Sequence, residues 1–249
     1  MRYAFVTGMG RSGTVFVTNL LKQCGQVTVR HEFIGNREYW VLSWYLPHDV
    51  YAEPYLIRAK NSIESTFDEG FFIDVNGYLQ HSVPLLRKVF GASQVFHLVR
   101  DPRRVVRSLY SRRSDRSVDL IPKNRPEVEK WLDGDKFQHI CWNWASTTRE
   151  LLSEDTKLIL FEKVISDYDY LVQNLLEPLD LPLERQLWTR LIKKKLNKTR
   201  SKFYRYLYCK VKGKEYISTS IPEYNRWPTA YKEIFEELCG DVMRQCGYE

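Results

Sequence analysis

The sequence predicts an α/β domain of three layers, α/β/α, with a central parallel sheet, and three observations carry that prediction. Short apolar runs alternate with segments of helical period along most of the chain. Successive runs are far enough apart that each connection must be a crossover, which parallel neighbours require. The first run passes into a glycine-rich turn and then directly into an apolar-periodic helix.

Taken in order, Tyr3 to Thr7 (YAFVT) reads as a short buried strand, followed by the turn Gly8-Met9-Gly10-Arg11-Ser12-Gly13 and a helix from near Thr14. Gln26 to Arg30 (QVTVR) carries β-branched alternation and delivers His31-Glu32 to a strand's C-terminal end, the ligand-bearing edge of a parallel sheet. From Phe33 to Arg58 rings are dense: Phe33, Tyr39, Trp40, Trp44, Tyr45, Tyr51 and Tyr55. Two readings stand for them, packing against the core, and a cavity in which a few rings stack on a sugar or planar molecule.

Gly70 to Asp74 (GFFID) is the third strand, Asn76-Gly77 a turn, and about Tyr78 to Phe90 a helix. Gln94 to Val99 (QVFHLV) is nearly continuous in apolar residues, as a strand covered on both faces is, with His97 a satisfied core histidine. It ends at Arg100-Asp101-Pro102, where the proline suits a helix's first turn and the helix runs on through Leu109. Pro126 to Glu154 reads as a long, interrupted helix whose Trp131, Trp142 and Trp144 anchor the core, and Thr156 to Phe161 as a fifth buried strand. A Pro228-initiated amphipathic helix spans Trp227 to Gly247.

With 249 residues, 43% of them hydrophobic, the chain suits one substantial core and one domain spanning 1–249, with no internal repeat or low-complexity linker. No apolar run approaches the ~18 residues of a membrane span, and Met1-Arg2 leads straight into the first strand, so the expected location is the cytoplasm. Cys24, Cys141, Cys209, Cys239 and Cys246 are scattered and form no C-x-x-C pair, which argues for reduced core residues and against a disulfide framework or a zinc site. The formal charge of +7 predicts attraction to anions without choosing among them. Arg190 to Lys214 holds eleven basic residues and no acidic one, interleaved with Phe203, Tyr204, Tyr206 and Tyr208. A single-stranded nucleic-acid track, a solvated basic face and a lid over an anionic ligand all remain open for that segment 190–214.

The opening turn has the makings of an anion site. Glycines let main-chain N–H groups point inward without Cβ interference, and the helix N-terminus adds about half a positive charge. Gly8 to Gly13 satisfies the first half of a Walker A loop, but Thr14 and Val15 stand where an NTPase needs Lys and a hydroxyl residue. The Mg²⁺ hydroxyl is therefore missing, and no metal is expected. Arg11 alone in the turn supplies a permanent charge and a forked donor set.

Thr7 to Thr14, taken together with Leu98-Val99-Arg100-Asp101-Pro102-Arg103 and a serine eight residues beyond Arg100, resembles the sulfotransferase family that uses 3′-phosphoadenosine 5′-phosphosulfate (PAPS). Asn197-Lys198-Thr199, Arg226-Trp227 and Cys239 to Tyr248 resemble its bacterial and carbohydrate-modifying branches. The resemblance implies a P-loop NTPase-like fold, a loop 7–15 (Gly8, Met9, Gly10, Arg11, Ser12, Gly13, Thr14, Val15) for the 5′-phosphosulfate, and a motif 98–108 whose Arg100 and Ser108 bind the 3′-phosphate. It further implies metal-independent, in-line transfer of a sulfuryl group to a hydroxyl or amine of a small-molecule, lipid-linked or glycan acceptor, which the basic segment favours as acidic, leaving the product nucleotide PAP. No nucleic-acid partner is expected on this reading.

Transfer needs a base for the acceptor proton and positive groups for charge on the leaving oxygen, and Arg11 with the loop amides fits the second part. In cytosolic members of the family the base is the histidine of a Lys-x-His at the third strand's end, but here that place reads Asp74-Val75-Asn76. Carbohydrate-modifying members use a glutamate just after the second strand, and Glu32 matches it. His31, Asp74 and His81 stand as alternatives, and His31, Phe33, Asp74, Asn76 and His81 are the expected acceptor contacts.

Overall fold

The computed structural model describes residues 1–67, 70–113, 128–194, 207, 210–211 and 219–249. Among them β1 (Arg2–Thr7), β2 (Thr28–His31), β3 (Phe71–Val75), β4 (Gln94–Val99) and β5 (Lys157–Leu160) form one all-parallel sheet in the order β2-β3-β1-β4-β5. The helices that matter for the site are α1 (Thr14–Leu21), α2 (Arg37–Tyr45), α3 (Ala52–Thr66), α4 (Val83–Phe90), α5 (Pro102–Tyr110), α6 (Val128–Leu132), α7 (Lys136–Ser153) and α8 (Phe161–Ser166).

Alternation along β1 builds the layers. Ala4 and Val6 face Val17, Leu20 and Leu21 of α1, while Tyr3 and Phe5 face Leu56 and Ile63 of α3 and Leu86 and Phe90 of α4. Full burial of a side chain such as Phe5 or Leu86 stabilises by ~1.5–3 kcal/mol. A further cluster joins Val105 and Val106 of α5 to Phe137 and Trp144 of α7 and to Phe235 and Val242 near the C-terminus. The result is the expected three-layer α/β/α arrangement.

Register levels the strand ends that matter: Val6 lies opposite Val75, and Thr7 opposite His97. The crossover after β1 runs outward to β2, whereas that after β4 runs the other way to β5. The chain therefore changes direction between β1 and β4, and the crevice at their carboxyl ends is where open α/β sheets bind ligands.

Several boundaries differ from the sequence expectation. β2 begins at Thr28 and includes His31, and α4 begins at Val83 rather than near Tyr78. Pro84 in its first turn explains the late start, because that is the one place in a helix where a missing N–H costs nothing. The long helix is broken at Gly134, and α7 restarts on an Asp135–Gln138 capping box. The closing helix is α-helical over Thr229–Phe235 and Asp241–Gln245 with a π-helical stretch at Glu236–Gly240 between them. Helices α2 and α3 fill the ring-dense stretch, where no helix was expected. His97 is 1% exposed as anticipated but not satisfied, since its Nδ1 has no hydrogen-bond partner among the described residues. Cys24, Cys141, Cys239 and Cys246 are buried free thiols, and Cys209 lies outside the described residues. No helix among the described residues is long and apolar enough to cross a membrane.

Candidate active site

The loop after β1 is shaped by what glycine permits. A Cβ on Gly8 would lie 2.2 Å from the Leu98 carbonyl oxygen of β4, so only glycine lets the two strand ends run together here. Gly13 has φ +104°, and a Cβ on it would meet the Phe161 ring at 2.2 Å. Between them Arg11 is left-handed at φ 79°, a conformation that costs a side-chain-bearing residue about 1–2 kcal/mol. No side chain caps the α1 N-terminus. Ser12 Oγ, and Thr7 Oγ1 at the strand end, are buried without a hydrogen-bond partner among the described residues. Buried hydroxyls of this kind, beside open helix N–H groups, fit a phosphate-like ligand.

The end of β4 closes on this loop. Arg100 Nη1 donates to the Arg11 carbonyl at 3.2 Å, and Arg11 Nε donates to Ser108 Oγ at 3.0 Å. Two motifs almost a hundred residues apart in sequence thus form a single constellation. Asp101 caps α5 by accepting from the Arg103 amide (2.9 Å) and also pairs with Arg103 Nε (2.8 Å). Burial lowers the basicity of Arg100, and the nearby Glu162 carboxylate opposes that shift.

Two clefts meet at this point. One, of about 740 Å³, is walled by Arg100, Arg103, Arg104, Arg107 and Ser108 on one side and by Ile221, Glu223 and Tyr224 on the other, with Arg107 paired to Glu223 at 3.2 Å. The second, of about 350 Å³, is lined by Arg11, Val15, Phe16, Phe161 and Ile165, and shares Arg100 with the first. Phe16 and Phe161 pack edge to face (5.9 Å, 87°), and the Arg100 guanidinium carbon sits 5.1 Å from the Phe161 ring centre. A cleft that combines two rings with Arg11, Arg100 and Lys194, joined to a cationic cleft, suits a ligand with a planar base at one end and phosphate at the other.

At the β2 and β3 ends, His31 is the residue that touches the loop: its Nε2 lies 3.1 Å from Thr14 Oγ1. Its Nδ1 is 3.9 Å from the Glu32 carboxylate. Glu32 is exposed at φ 52°, with its amide on the Val75 carbonyl (3.2 Å). Phe33 is 40% exposed and packs edge-on against Phe67 and Phe72.

Asp74 and Asn76 do not face a cavity. Asp74 is fully buried, accepts from the Phe33 and Ile34 amides (3.1 and 3.0 Å) and from Asn76 Nδ2 (3.0 Å), and burial raises its pKa despite those bonds. Asn76 also donates to the Gly35 carbonyl. Both side chains hold the turn after β2, so the expectation that they contact an acceptor gives way to a scaffolding part.

His81 is also consumed by the protein. Its Nδ1 lies 2.9 Å from both Glu150 oxygens. The Gln80 amide satisfies both its ends when its nitrogen sits on the Gly77 carbonyl (3.1 Å) and its oxygen takes the Trp40 indole N–H (2.7 Å) and His81 Nε2 (3.2 Å). Both imidazole nitrogens are then engaged by neighbouring side chains. The ring stacks on Trp44 (5.0 Å, 22°), whose plane is also nearly parallel to Trp142 (6.5 Å, 13°). Trp40, Trp44 and Trp142 are half-buried, and Gly77, which Gln80 links to Trp40, lies against the loop at Gly8.

Sequence reasoning missed Phe16 and Phe161, which one signal could have found: an aromatic two residues after the loop threonine, and another at the end of the fifth strand. Most of segment 190–214, including Asn197-Lys198-Thr199, lies outside the described residues. Among the described residues no group of three or more His, Cys, Asp or Glu could hold a metal ion.

No family model matches the sequence, and a search of curated proteins finds no match. Solved structures do match. The sulfotransferase domain from the curacin biosynthetic pathway is 12% identical, with 100% of this chain and 99% of that one covered at TM-score 0.52. Sulfotransferase STF9 from Mycobacterium avium is 14% identical over 100% of this chain and 77% of that one at TM-score 0.55. Mouse sulfotransferase SULT7A1, solved in complex with PAP, is 10% identical over 98% and 84% at TM-score 0.52. The fold defined by the sheet order and the loop is the sulfotransferase fold.

Proposed function

We propose that the protein transfers a sulfuryl group from PAPS to a hydroxyl or amine of a carbohydrate, lipid-linked or small-molecule acceptor. The observation that carries this reading is the convergence of Arg11, Arg100 and Ser108 at the β1 and β4 ends. It gains support from the PAP complex of one structural neighbour. PAPS would supply an activated sulfuryl group on a phosphate leaving group, and the residues present fit it.

Loop residues Gly8, Met9, Gly10, Ser12, Gly13, Thr14 and Val15 would cradle the 5′-phosphosulfate through main-chain N–H groups and the buried Ser12 hydroxyl. Arg11 stabilises negative charge developing on the leaving oxygen, which is worth most where water is excluded. Arg100 and Ser108 hold the 3′-phosphate, and the cleft that Phe16 and Phe161 help to line takes the base. Glu32, exposed beside the loop-contacting His31, removes the acceptor proton. The ring faces of Trp40, Trp44 and Trp142 receive the acceptor.

One calorimetric titration tests the donor half: 3′,5′-bisphosphoadenosine should bind, and ATP with Mg²⁺ or a short oligonucleotide should bind far more weakly. Tight, strongly salt-dependent oligonucleotide binding would instead mark a nucleic-acid protein, and Mg²⁺-dependent ATP turnover a kinase or NTPase. Incubation with sulfate-labelled PAPS and a panel of acceptors tests the transfer itself.

A further inference from the structure

Behind Arg100 stands a carboxylate that the proposed transfer does not use. Glu162, the second residue of α8, brings Oε1 to 3.7 Å from Arg100 Nε. Its Oε2 accepts from the Tyr248 hydroxyl at 2.8 Å and lies 3.4 Å from the Asp101 amide. The same hydroxyl is 3.4 Å from the Val99 carbonyl, but it has one proton, and the shorter, charged contact takes it. The C-terminal helix is thereby tied to the end of β4.

The pairing is looser than a hydrogen bond. Arg100 Nε and Glu162 Oε1 are both buried, and neither has a hydrogen-bond partner among the described residues. A bidentate pair would consume the guanidinium's donors. Here the carboxylate flanks the Nε edge while Nη1 reaches the Arg11 carbonyl at the loop. A long, partly buried arginine without such a flank would lose rotamer freedom only when a ligand arrived.

We propose that Glu162, itself anchored by Tyr248, is a positioning residue for Arg100: it holds the guanidinium facing the 3′-phosphate and offsets the burial of its charge. This rests on the reading of Arg100 as a 3′-phosphate ligand. Orientation outweighs the carboxylate's repulsion of an incoming phosphate, because Glu162 sits against Nε and the arginine stands between the two anions.

The test compares affinities for 3′,5′-bisphosphoadenosine and 5′-AMP, by calorimetry, in the full chain and in Glu162→Gln, Tyr248→Phe and Arg100→Ala. In Glu162→Gln the preference for the bisphosphate should shrink about 10-fold, the low end of what losing an orienting partner costs at metal sites, with 5′-AMP affinity unchanged. Tyr248→Phe should shrink it about threefold, and because it deletes a single oxygen it keeps the test open if Glu162→Gln does not fold. An unchanged or wider preference in both variants, alongside its collapse in Arg100→Ala, overturns the proposal. So does equal weakening of both nucleotides, which marks a purely structural part for Glu162. If Arg100→Ala itself leaves the preference intact, the 3′-phosphate reading fails, and the proposal falls with it.

Discussion

The loop end of the molecule, the proposed donor site, and its tryptophan-lined side are built on opposite terms. Where β1 and β4 end, Arg11 and Arg100 bond to neighbours, yet Ser12 Oγ and Arg100 Nε are buried with no hydrogen-bond partner among the described residues. Between α2 and α7 the polar groups are spent on one another. Tyr39 pairs with Ser82 at 2.7 Å, His81 sits between Glu150 and Gln80, and the Trp40 indole is taken by Gln80. On the proposed function, one region would take a ligand of fixed chemistry, and the other would offer ring faces that select by shape and dispersion.

That contrast can be broken most forcefully at Glu32, which follows β2 beside the loop-contacting His31. Glu32→Gln should lower turnover ~10²- to 10⁴-fold and leave bisphosphate binding nearly intact. Unchanged turnover would remove Glu32 from the base role. Arg100→Ala acts on the donor end alone and should weaken bisphosphate binding by ~2–5 kcal/mol without altering the acceptor KM extrapolated to saturating donor. Trp44→Ala acts on the other side, and its signature is a rise in acceptor KM of about 10-fold with nucleotide affinity unmoved. Nucleotide affinity falling in step would mean that the two regions are not separate.

The smallest expected effect concerns two histidines that repeat the comparison. His81 has partners on both ring nitrogens, whereas His97, opposite Thr7 beneath the loop, has none at Nδ1. Burial depresses the His97 pKa from 6.5 to about 3, so the folded protein holds the neutral ring. The stability this reflects is complete above about pH 6.5 and declines toward pH 3, with a slope of at most about 1.4 kcal/mol per unit. Asp74, raised by burial, works in the other direction: its contribution is present below its ordinary value and lost as pH rises through the folded one. Thermal midpoints from pH 7 to pH 4 should therefore fall less steeply in His97→Gln than in the parent, and parallel curves would exclude His97 as a source of acid sensitivity.

Much of the loop's geometry was legible because the main chain dictates it. A loop that must pass Leu98 without a Cβ at Gly8 leaves a glycine in the sequence, and Arg100 and Ser108 sit at fixed offsets from a strand end. The strands were legible for a similar reason, since burial on both faces demands continuous apolar runs. Helices α2 and α3 were not. In α2 only Tyr39 and Ser43 are buried, and in α3 only Ala52, Leu56 and Ile63, stripes too narrow to give a helical period against so many half-buried rings. Asp74 and His81 were legible as polar residues near the right edge, but nothing local showed that Phe33, Ile34 and Glu150 would claim them. Glu162 and Tyr248 were hidden for the same reason, because each owes its place to packing between elements distant in sequence.

The left-handed backbone at Arg11 sets robustness against turnover at a single position. Glycine there would relieve about 1–2 kcal/mol of conformational strain and would also delete the loop's one fixed charge. Selection for heat resistance alone would favour the glycine, while selection for the proposed transfer would keep the arginine. If the proposed role of Arg11 holds, a lineage that retains arginine at this φ is under pressure for catalysis, and one that drifts to glycine has let that chemistry go while keeping the fold.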